Sequence, residues 1–338
     1  MTDPQTPDPA HVSGIDLVVV GASAGGVGTL EGLVGRLPDD LGVAVLVVLH
    51  VPSSGVSLLA DILNRACPLP VRRAQHGMEL ERSRILVAPT DHHLLVEGTV
   101  VALSRGPLVN GHRPAVDPLF QSAARTYGPR VLGVLLSGTL DDGVAGLGAI
   151  KREGGVTAVQ DPDQAPYPGM PQAAIEAGVA DYVLSTGDLA RLLESAGTGG
   201  TGPLRPVEGD NARVIVDDPD GPAVLSALTC PNCGGALWEH QRNGVVQFEC
   251  RVGHQYSPAS LFEVQGEALD DALWAAHRAL LERADLARRM ARRLRRSTLE
   301  ESALRYDHTA DEAEKRAGIL NEALLLARQP DHTASGAS

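Results

Sequence analysis

The sequence predicts an α/β fold: a doubly wound, mostly parallel sheet, followed by a small cysteine-bearing module and a pair of long helices. Three observations carry this. The apolar runs Leu17-Val18-Val19-Val20, Val43 to Leu49 and Val131 to Leu136 show no polar alternation, as expected of strands buried on both faces. Tight glycine-bearing turns follow the first and the last of these runs. Aromatic residues make up 3% of the chain and hydrophobic residues 43%, so the core must rest on Val, Leu and Ala, which suits parallel strands covered by helices. A chain of 338 residues is long enough for such a core and an appendage.

Residues 1–14 are rich in proline and polar residues and are expected to form a disordered tail. The first strand runs into Gly21-Ala22-Ser23-Ala24-Gly25, which places a serine on a sharp strand-to-helix turn. Small neighbours let the backbone turn tightly and lift the hydroxyl clear, while the helix N-terminus aims N–H groups at a developing anion. A glycine-rich turn of this kind also holds phosphate in nucleotide-binding folds, so the turn alone leaves two readings open. His50 ends the second strand, and Ser137-Gly138-Thr139-Leu140-Asp141-Asp142-Gly143 follows the strand ending at Leu136. In open parallel sheets the crevice lies outside the carboxyl ends of the strands, so these residues can converge. There an imidazole can take the serine proton and a carboxylate can fix its tautomer.

The order Ser, His, Asp is not that of an α/β-hydrolase. Four blocks resemble the catalytic domain of the CheB-type protein-glutamate methylesterases of bacterial chemotaxis: Gly21 to Gly26; His50; Gly111-His112-Arg113-Pro114-Ala115-Val116-Asp117-Pro118-Leu119-Phe120-Gln121-Ser122-Ala123; and Leu136 to Leu147. The resemblance implies a methylesterase domain over residues 15–190, with Ser23 as nucleophile, His50 as base and Asp142 as orienting acid, Asp141 being a neighbour. It implies hydrolysis of glutamate methyl esters on a methylated chemoreceptor or analogous signalling protein, with glutamine deamidation as a further activity and no cofactor for catalysis. Ala24, Thr139 and Arg113 are the candidate oxyanion or cleft positions. Thr139 and Leu140 stand where the family has methionine and glycine, which bears on the shape of the oxyanion pocket.

Arg113 and Asp117 are candidates for substrate contacts or for an ion pair holding their loop, and Asp117 before Pro118 also reads as a helix N-cap. His92-His93 lacks further residues at ligand spacing and reads as a solvated hairpin edge. The familiar family architecture carries an N-terminal receiver domain. Only Met1 to Ile15 precede the first strand here, so the expectation is an esterase that is open or controlled by its own C-terminal half.

Glycine, proline and aspartate dominate residues 191–228, read as a linker in which Val214-Ile215-Val216 is a short strand candidate. A zinc-ribbon-like module is expected over 229–257: Cys230-Pro231-Asn232-Cys233 and Cys250-Arg251-Val252-Gly253-His254 offer three thiolates and an imidazole, a set that suits tetrahedral Zn²⁺. Reduced structural cysteines, or a ribbon that has lost its metal, are the alternatives. Cys67 reads as a plain buried thiol. Residues 258–328 are expected to form a helical hairpin or coiled coil, with Phe262, Leu269, Leu273, Ala276, Leu280, Ala287 and Leu294 as one apolar stripe and Leu299, Ala313, Ile319, Leu320 and Leu324 as a second. A homodimer through these helices would follow from a coiled coil. Residues 329–338 are read as a second disordered tail.

The net charge of −13 argues against nucleic acid as the main partner, and the basic run Arg288 to Arg296 is read as salt-bridged or solvated. No apolar run is long enough to span a bilayer, the N-terminus lacks signal character, and four cysteines, three in metal-like spacing, fit a reducing cytoplasm. Two competing functions are weighed. A scaffold that keeps the fold and binds partners through ribbon and helices is opposed by Ser23, His50 and Asp142. A nucleotide-binding oxidoreductase is opposed by the lack of G-x-G-x-x-G spacing and by His50 in place of an acid.

Overall fold

The structure, a computed structural model, describes residues 12, 14–51, 57–198, 202–207, 222–242 and 245–327. It divides into two compact units, the first ending at Leu261 and the second starting at Phe262. The first begins β1 (Leu17–Ala22), α1 (Gly26–Val34), β2 (Ala44–Leu49), α2 (Leu59–Ala66), β3 (Val71–Arg73), β4 (Arg84–Val87) and the hairpin β5 (His93–Glu97) and β6 (Val100–Ser104). It continues with α3 (Val116–Tyr127), β7 (Val131–Leu135), α4 (Val144–Arg152), β8 (Val156–Gln160), α5 (Gly169–Glu176), β9 (Tyr182–Leu184) and α6 (Thr186–Gly197).

Seven of these strands form one sheet in the order β3-β4-β2-β1-β7-β8-β9, with every pairing parallel. β1 is central, with Val18 opposite Val45 on one side and Leu132 on the other. Successive side chains of a strand face opposite ways, and both faces are covered. Val18 and Val20 pack with Leu30, Leu63, Leu189 and Leu193 from α1, α2 and α6. Leu17 and Val19 pack with Leu119, Phe120, Leu147 and Ile150 from α3 and α4. The chain steps from β1 to β2 on one side and later to β7 on the other, so a crevice opens at the carboxyl ends of these three strands.

The first unit closes with a four-stranded antiparallel sheet of β10 (Val224–Thr229), β11 (Ala236–Arg242), β12 (Val245–Cys250) and β13 (Gln255–Tyr256). The helix α7 (Pro258–Arg296) begins directly after it. The second unit comprises α7 from Phe262 onward and α8 (Glu300–Ala327), packed as a hairpin. Among the described residues no helix is long and apolar enough to cross a membrane.

The structure departs from some of these expectations and meets others. Val12 is buried in the core, so the chain is anchored two residues before the expected end of the N-terminal tail. α6 extends to Gly197, and residues 202–207 of the expected linker are pinned to the sheet domain: Val207 N–H donates to the Thr126 carbonyl at 2.7 Å and Arg82 donates to the Gly202 carbonyl. Val214 to Val216 and the terminal tail at 329–338 lie outside the described residues. Cys67 is half-buried against the core. In the hairpin Ala284, Ala287, Ala310 and Ala313 form the contact while Phe262, Leu269 and Ile319 are exposed. Small side chains let helix backbones approach closely, which turns the larger apolar residues outward. Arg288 pairs with Asp307, Asp311 and Glu314, and Arg295 with Glu300 and Asp307, so part of the basic run is neutralised by α8.

Candidate active site

Ser23 follows β1, His50 follows β2, and Asp142 lies seven residues beyond the end of β7. Ser23 Oγ stands 3.1 Å from His50 Nδ1, and His50 Nε2 stands 2.6 Å from Asp142 Oδ2. The three thus form one hydrogen-bonded line. The turn that holds Ser23 is fixed by its own N–H, which donates to the Ser137 carbonyl at 2.9 Å. Gly25 caps α1 with φ of +71°, a conformation that favours glycine. Gly138 approaches closely, since a Cβ there would lie 2.9 Å from Ser23 Cβ and 2.0 Å from Met170 Sδ. Among the described residues the N–H groups of Ala24 and Thr139 have no internal acceptor, which leaves them available to an oxyanion.

Asp142 is 2% exposed, and each of its oxygens accepts two hydrogen bonds. Oδ2 takes His50 Nε2–H and the Val116 N–H at 2.6 Å; Oδ1 takes Asn110 Nδ2–H at 2.9 Å and the Asp117 N–H at 3.3 Å. Burial alone would raise this carboxyl, but the His50 hydrogen bond and charge, with the Val116 and Asn110 donors, hold it well below the usual range. The carboxylate therefore caps the first turn of α3 as well as holding the imidazole.

This corrects the reading of Asp117 as the cap. Asp117 is one residue inside α3, its Oδ1 accepts the Gly146 N–H at 2.7 Å, and its Oδ2 accepts from Asn110 at 3.1 Å. Burial, and then the Asp142 charge, raise its carboxyl well above the usual range. Arg113 does not reach it. The guanidinium donates to Asp91 Oδ1 through Nε at 2.9 Å and Nη2 at 2.6 Å, and to the Gly106 carbonyl at 2.7 Å. That is the loop-holding ion pair, with Asp91 as the acid. His93 belongs to the hairpin but is buried, not solvated: Nε2 bonds the Pro107 carbonyl at 2.9 Å and Nδ1 accepts the Ala115 N–H at 3.3 Å. Asp141 accepts the Ser257 hydroxyl at 2.6 Å.

Thr139 is exposed, and Leu140 adopts φ of +61°. The loop thus keeps a backbone that suits glycine while carrying leucine, at a cost of about 1–2 kcal/mol. Sequence reasoning missed the roles of Asn110 and His112. His112 stacks on His50 with ring centroids 3.8 Å apart, and burial, with His50 beside it, brings His112 down to about 4. At neutral pH it is an uncharged cover over the His50 ring.

The second cluster is Cys230, Cys233, Cys250 and His254, whose ligand atoms all lie within 4.8 Å of one another. The sulfurs of Cys233 and Cys250 are 3.6 Å apart, and His254 Nδ1 is 3.5 Å from both Cys230 and Cys250. Tetrahedral zinc with bonds of about 2.3 Å to sulfur requires edges of roughly 3.8 Å, so donor set and spacing both fit. Two glycine-bearing turns present the ligands: Gly234 N–H donates to the Cys230 carbonyl four residues back and Gly253 N–H to the Cys250 carbonyl three residues back, each at 2.8 Å. Burial opposes a Cys230 thiolate, but the Tyr256 hydroxyl and the N–H groups of Cys233 and Asn232 outweigh it and lower that thiol.

Sheet and crevice together define a doubly wound α/β protein with a hydrolase-type site. The chain belongs to the CheB methylesterase family, whose model matches residues 18–193. A relative from Anaeromyxobacter dehalogenans (strain 2CP-C), named protein-glutamate methylesterase/protein-glutamine glutaminase 2, is 42% identical over 185 residues, covering 55% of this chain and 54% of the relative. One from Treponema pallidum (strain Nichols), named protein-glutamate methylesterase/protein-glutamine glutaminase, is 38% identical over 194 residues, covering 56% of this chain and 48% of the relative. The chain thus spans about half the length of these two curated relatives. The crystal structure of the Thermotoga maritima CheB methylesterase catalytic domain superposes with a TM-score of 0.51 at 32% identity, covering 53% of this chain and 97% of that one.

Proposed function

We propose that the chain is a protein-glutamate methylesterase acting on a methylated chemoreceptor or an analogous signalling protein, with Ser23 as nucleophile. The observation that carries this is the Ser23–His50–Asp142 line at the crevice, beside the open Ala24 N–H. His50 Nδ1 accepts the Ser23 proton as Oγ attacks the ester carbonyl. Asp142 holds the proton on Nε2 and stabilises the imidazolium. The tetrahedral oxyanion takes the Ala24 N–H, with the Thr139 N–H as the second candidate donor. Collapse expels methoxide, which leaves as methanol with the His50 proton. Water, deprotonated by the same imidazole, then hydrolyses the acyl-serine to a glutamate carboxylate and free serine. Glutamine deamidation follows the same steps with ammonia as leaving group, and the double name of the relatives favours it as a second activity.

Catalysis needs no cofactor in this scheme. The cysteine–histidine cluster is a structural zinc site, which suits a reducing, cytoplasmic setting. Exposed Leu269, Leu304 and Ile319 on the hairpin support a second copy of the chain as its partner. The test is methanol release from a methylated receptor peptide by the full chain. Turnover is expected for the native protein and loss of at least about 10³-fold for Ser23→Ala; equal turnover by both would refute the assignment.

A further inference from the structure

The Asn110 side chain hydrogen-bonds both Asp142 and the turn that leaves the C-terminal module. It is 4% exposed, and all four hydrogen-bonding positions of its amide are used. Nδ2 donates to Asp142 Oδ1 at 2.9 Å and to Asp117 Oδ2 at 3.1 Å. Oδ1 accepts the Ser257 N–H at 2.9 Å and the Ser260 hydroxyl at 2.8 Å. Ser257 and Ser260 form the turn from β13 into α7: their hydroxyls are 2.8 Å apart, and the Ser260 N–H returns to Ser257 Oγ at 3.0 Å. Both are buried.

The orientation of the amide is decided by these neighbours. Turned over, Nδ2 would face the Ser257 N–H, and Oδ1 would face the Asp142 carboxylate. An unsatisfied buried donor or acceptor is costly, so the two serines fix which end of Asn110 meets Asp142. The main chain on either side is gripped as well. Asn110 N–H donates to the Gln255 carbonyl at 2.8 Å, and Gln255 N–H donates to the Leu108 carbonyl at 3.2 Å. Gln255 directly follows His254, and two residues past Asn110 stands His112, stacked on His50.

We propose that the exit turn of the C-terminal module is a positioning device for the esterase site, in which Ser257 and Ser260 orient Asn110 so that its amide holds Asp142 in line with His50. The inference rests on the Ser23–His50–Asp142 reading. Ser257, Ser260 and Asn110 act through Asp142 and meet no substrate, so they are positioning residues. The device makes the sheet domain's site dependent on a segment more than 100 residues downstream, and it places the cysteine–histidine cluster three residues from the turn that does the positioning.

The experiment uses the full chain with a fluorophosphonate probe, which reports Ser23 reactivity without a physiological substrate, and follows the downfield proton resonance of the His50–Asp142 hydrogen bond. Ser260→Ala and Asn110→Ala are expected to keep the folded spectrum, to lower the maximal inactivation rate about tenfold with the probe's binding constant unchanged, and to shift or broaden that resonance. Ser260→Cys, of similar size and with a weaker donor, is expected to fall between, and it carries the test if Ser260→Ala does not fold. Labelling lost in Ser23→Ala but unchanged in rate and resonance in Ser260→Ala and Asn110→Ala overturns the positioning role and leaves the triad standing. Labelling that survives Ser23→Ala overturns the triad reading and the proposal with it.

Discussion

Replacing Asp142 by asparagine separates what this carboxylate does for the fold from what it does for chemistry. Four donors converge on it: His50 Nε2–H and Val116 N–H on Oδ2, Asn110 Nδ2–H and Asp117 N–H on Oδ1. An asparagine offers one oxygen and one NH₂, so either way two buried donors face a third. Asn110 cannot turn to help, because its oxygen is held by Ser257 and Ser260. Each buried donor left unsatisfied costs about 1–3 kcal/mol, which gives a loss of about 2–6 kcal/mol for Asp142→Asn. If the NH₂ faces His50, the imidazole is driven to the tautomer with its proton on Nδ1, and no base faces Ser23. A loss of roughly 10⁴ in kcat is then expected, the size seen when an orienting aspartate is amidated in a serine protease. Urea denaturation measures the first effect and methyl-ester hydrolysis the second. A variant within about 1 kcal/mol of the native stability and within about tenfold of its activity would refute the reasoning.

Four further expectations follow, three at the site and one at the cysteine–histidine cluster. Asp117 is raised, so from the ordinary carboxylate value of about 3.9 up to its folded value the native state keeps a proton that the unfolded chain has released; stability therefore falls as pH rises through that window, whereas Asp117→Asn should show no such fall in pH-dependent urea denaturation. Asp142, being depressed, contributes stability that is present above about pH 3.9 and lost as pH falls towards its folded value, which acid titration of native and Asp142→Asn proteins should show as a missing acid transition in the variant. Leu140→Gly relieves a left-handed leucine and, net of glycine's extra chain entropy, is expected to raise stability by about 0.5–1 kcal/mol, read from the urea midpoint. Metal analysis should find about one zinc per native chain and none in Cys250→Ser, with a lower melting temperature for that variant.

The strands were legible because burial on both faces leaves an unbroken apolar run, as in Leu17 to Val20, and because β1, β2 and β7 each pass into a turn with a chemically distinctive residue. Ser23 and His50 could be named from their places after strand ends, but choosing Asp142 over Asp141 took the family resemblance; the structure brings Ser23, His50 and Asp142 into one hydrogen-bonded line. What stayed hidden has no local signature. Asn110 precedes Gly111 and has φ of +51°, so in sequence it is a turn residue, and nothing nearby announces two buried carboxylates. Ser257 and Ser260 look like ordinary residues at the start of a helix, and their partners are 147 and 150 positions away. The cap of α3 was misassigned for the same reason: an aspartate beside a proline at a helix start is a sound local reading, but the acceptor came from the loop after β7.

An aspartate that only steered an imidazole would need one acceptor oxygen, and water could satisfy the other. Here three of the four hydrogen bonds to Asp142 come from elsewhere: the first turn of α3 supplies two and Asn110 the third. The carboxylate is therefore placed by folding before His50 is considered, and the imidazole meets an acceptor whose position and charge are already fixed. Such preorganisation removes reorganisation from the reaction step, which is how a fixed dipole or charge stabilises a transition state more than a mobile one. It also explains why a neutral ring, His112, can lie over His50 without competing for Asp142: no oxygen of that carboxylate is left to take another donor. The same saturation links the two halves of the first unit, since the donor that fills the last position, Asn110, is itself held by the turn that begins α7.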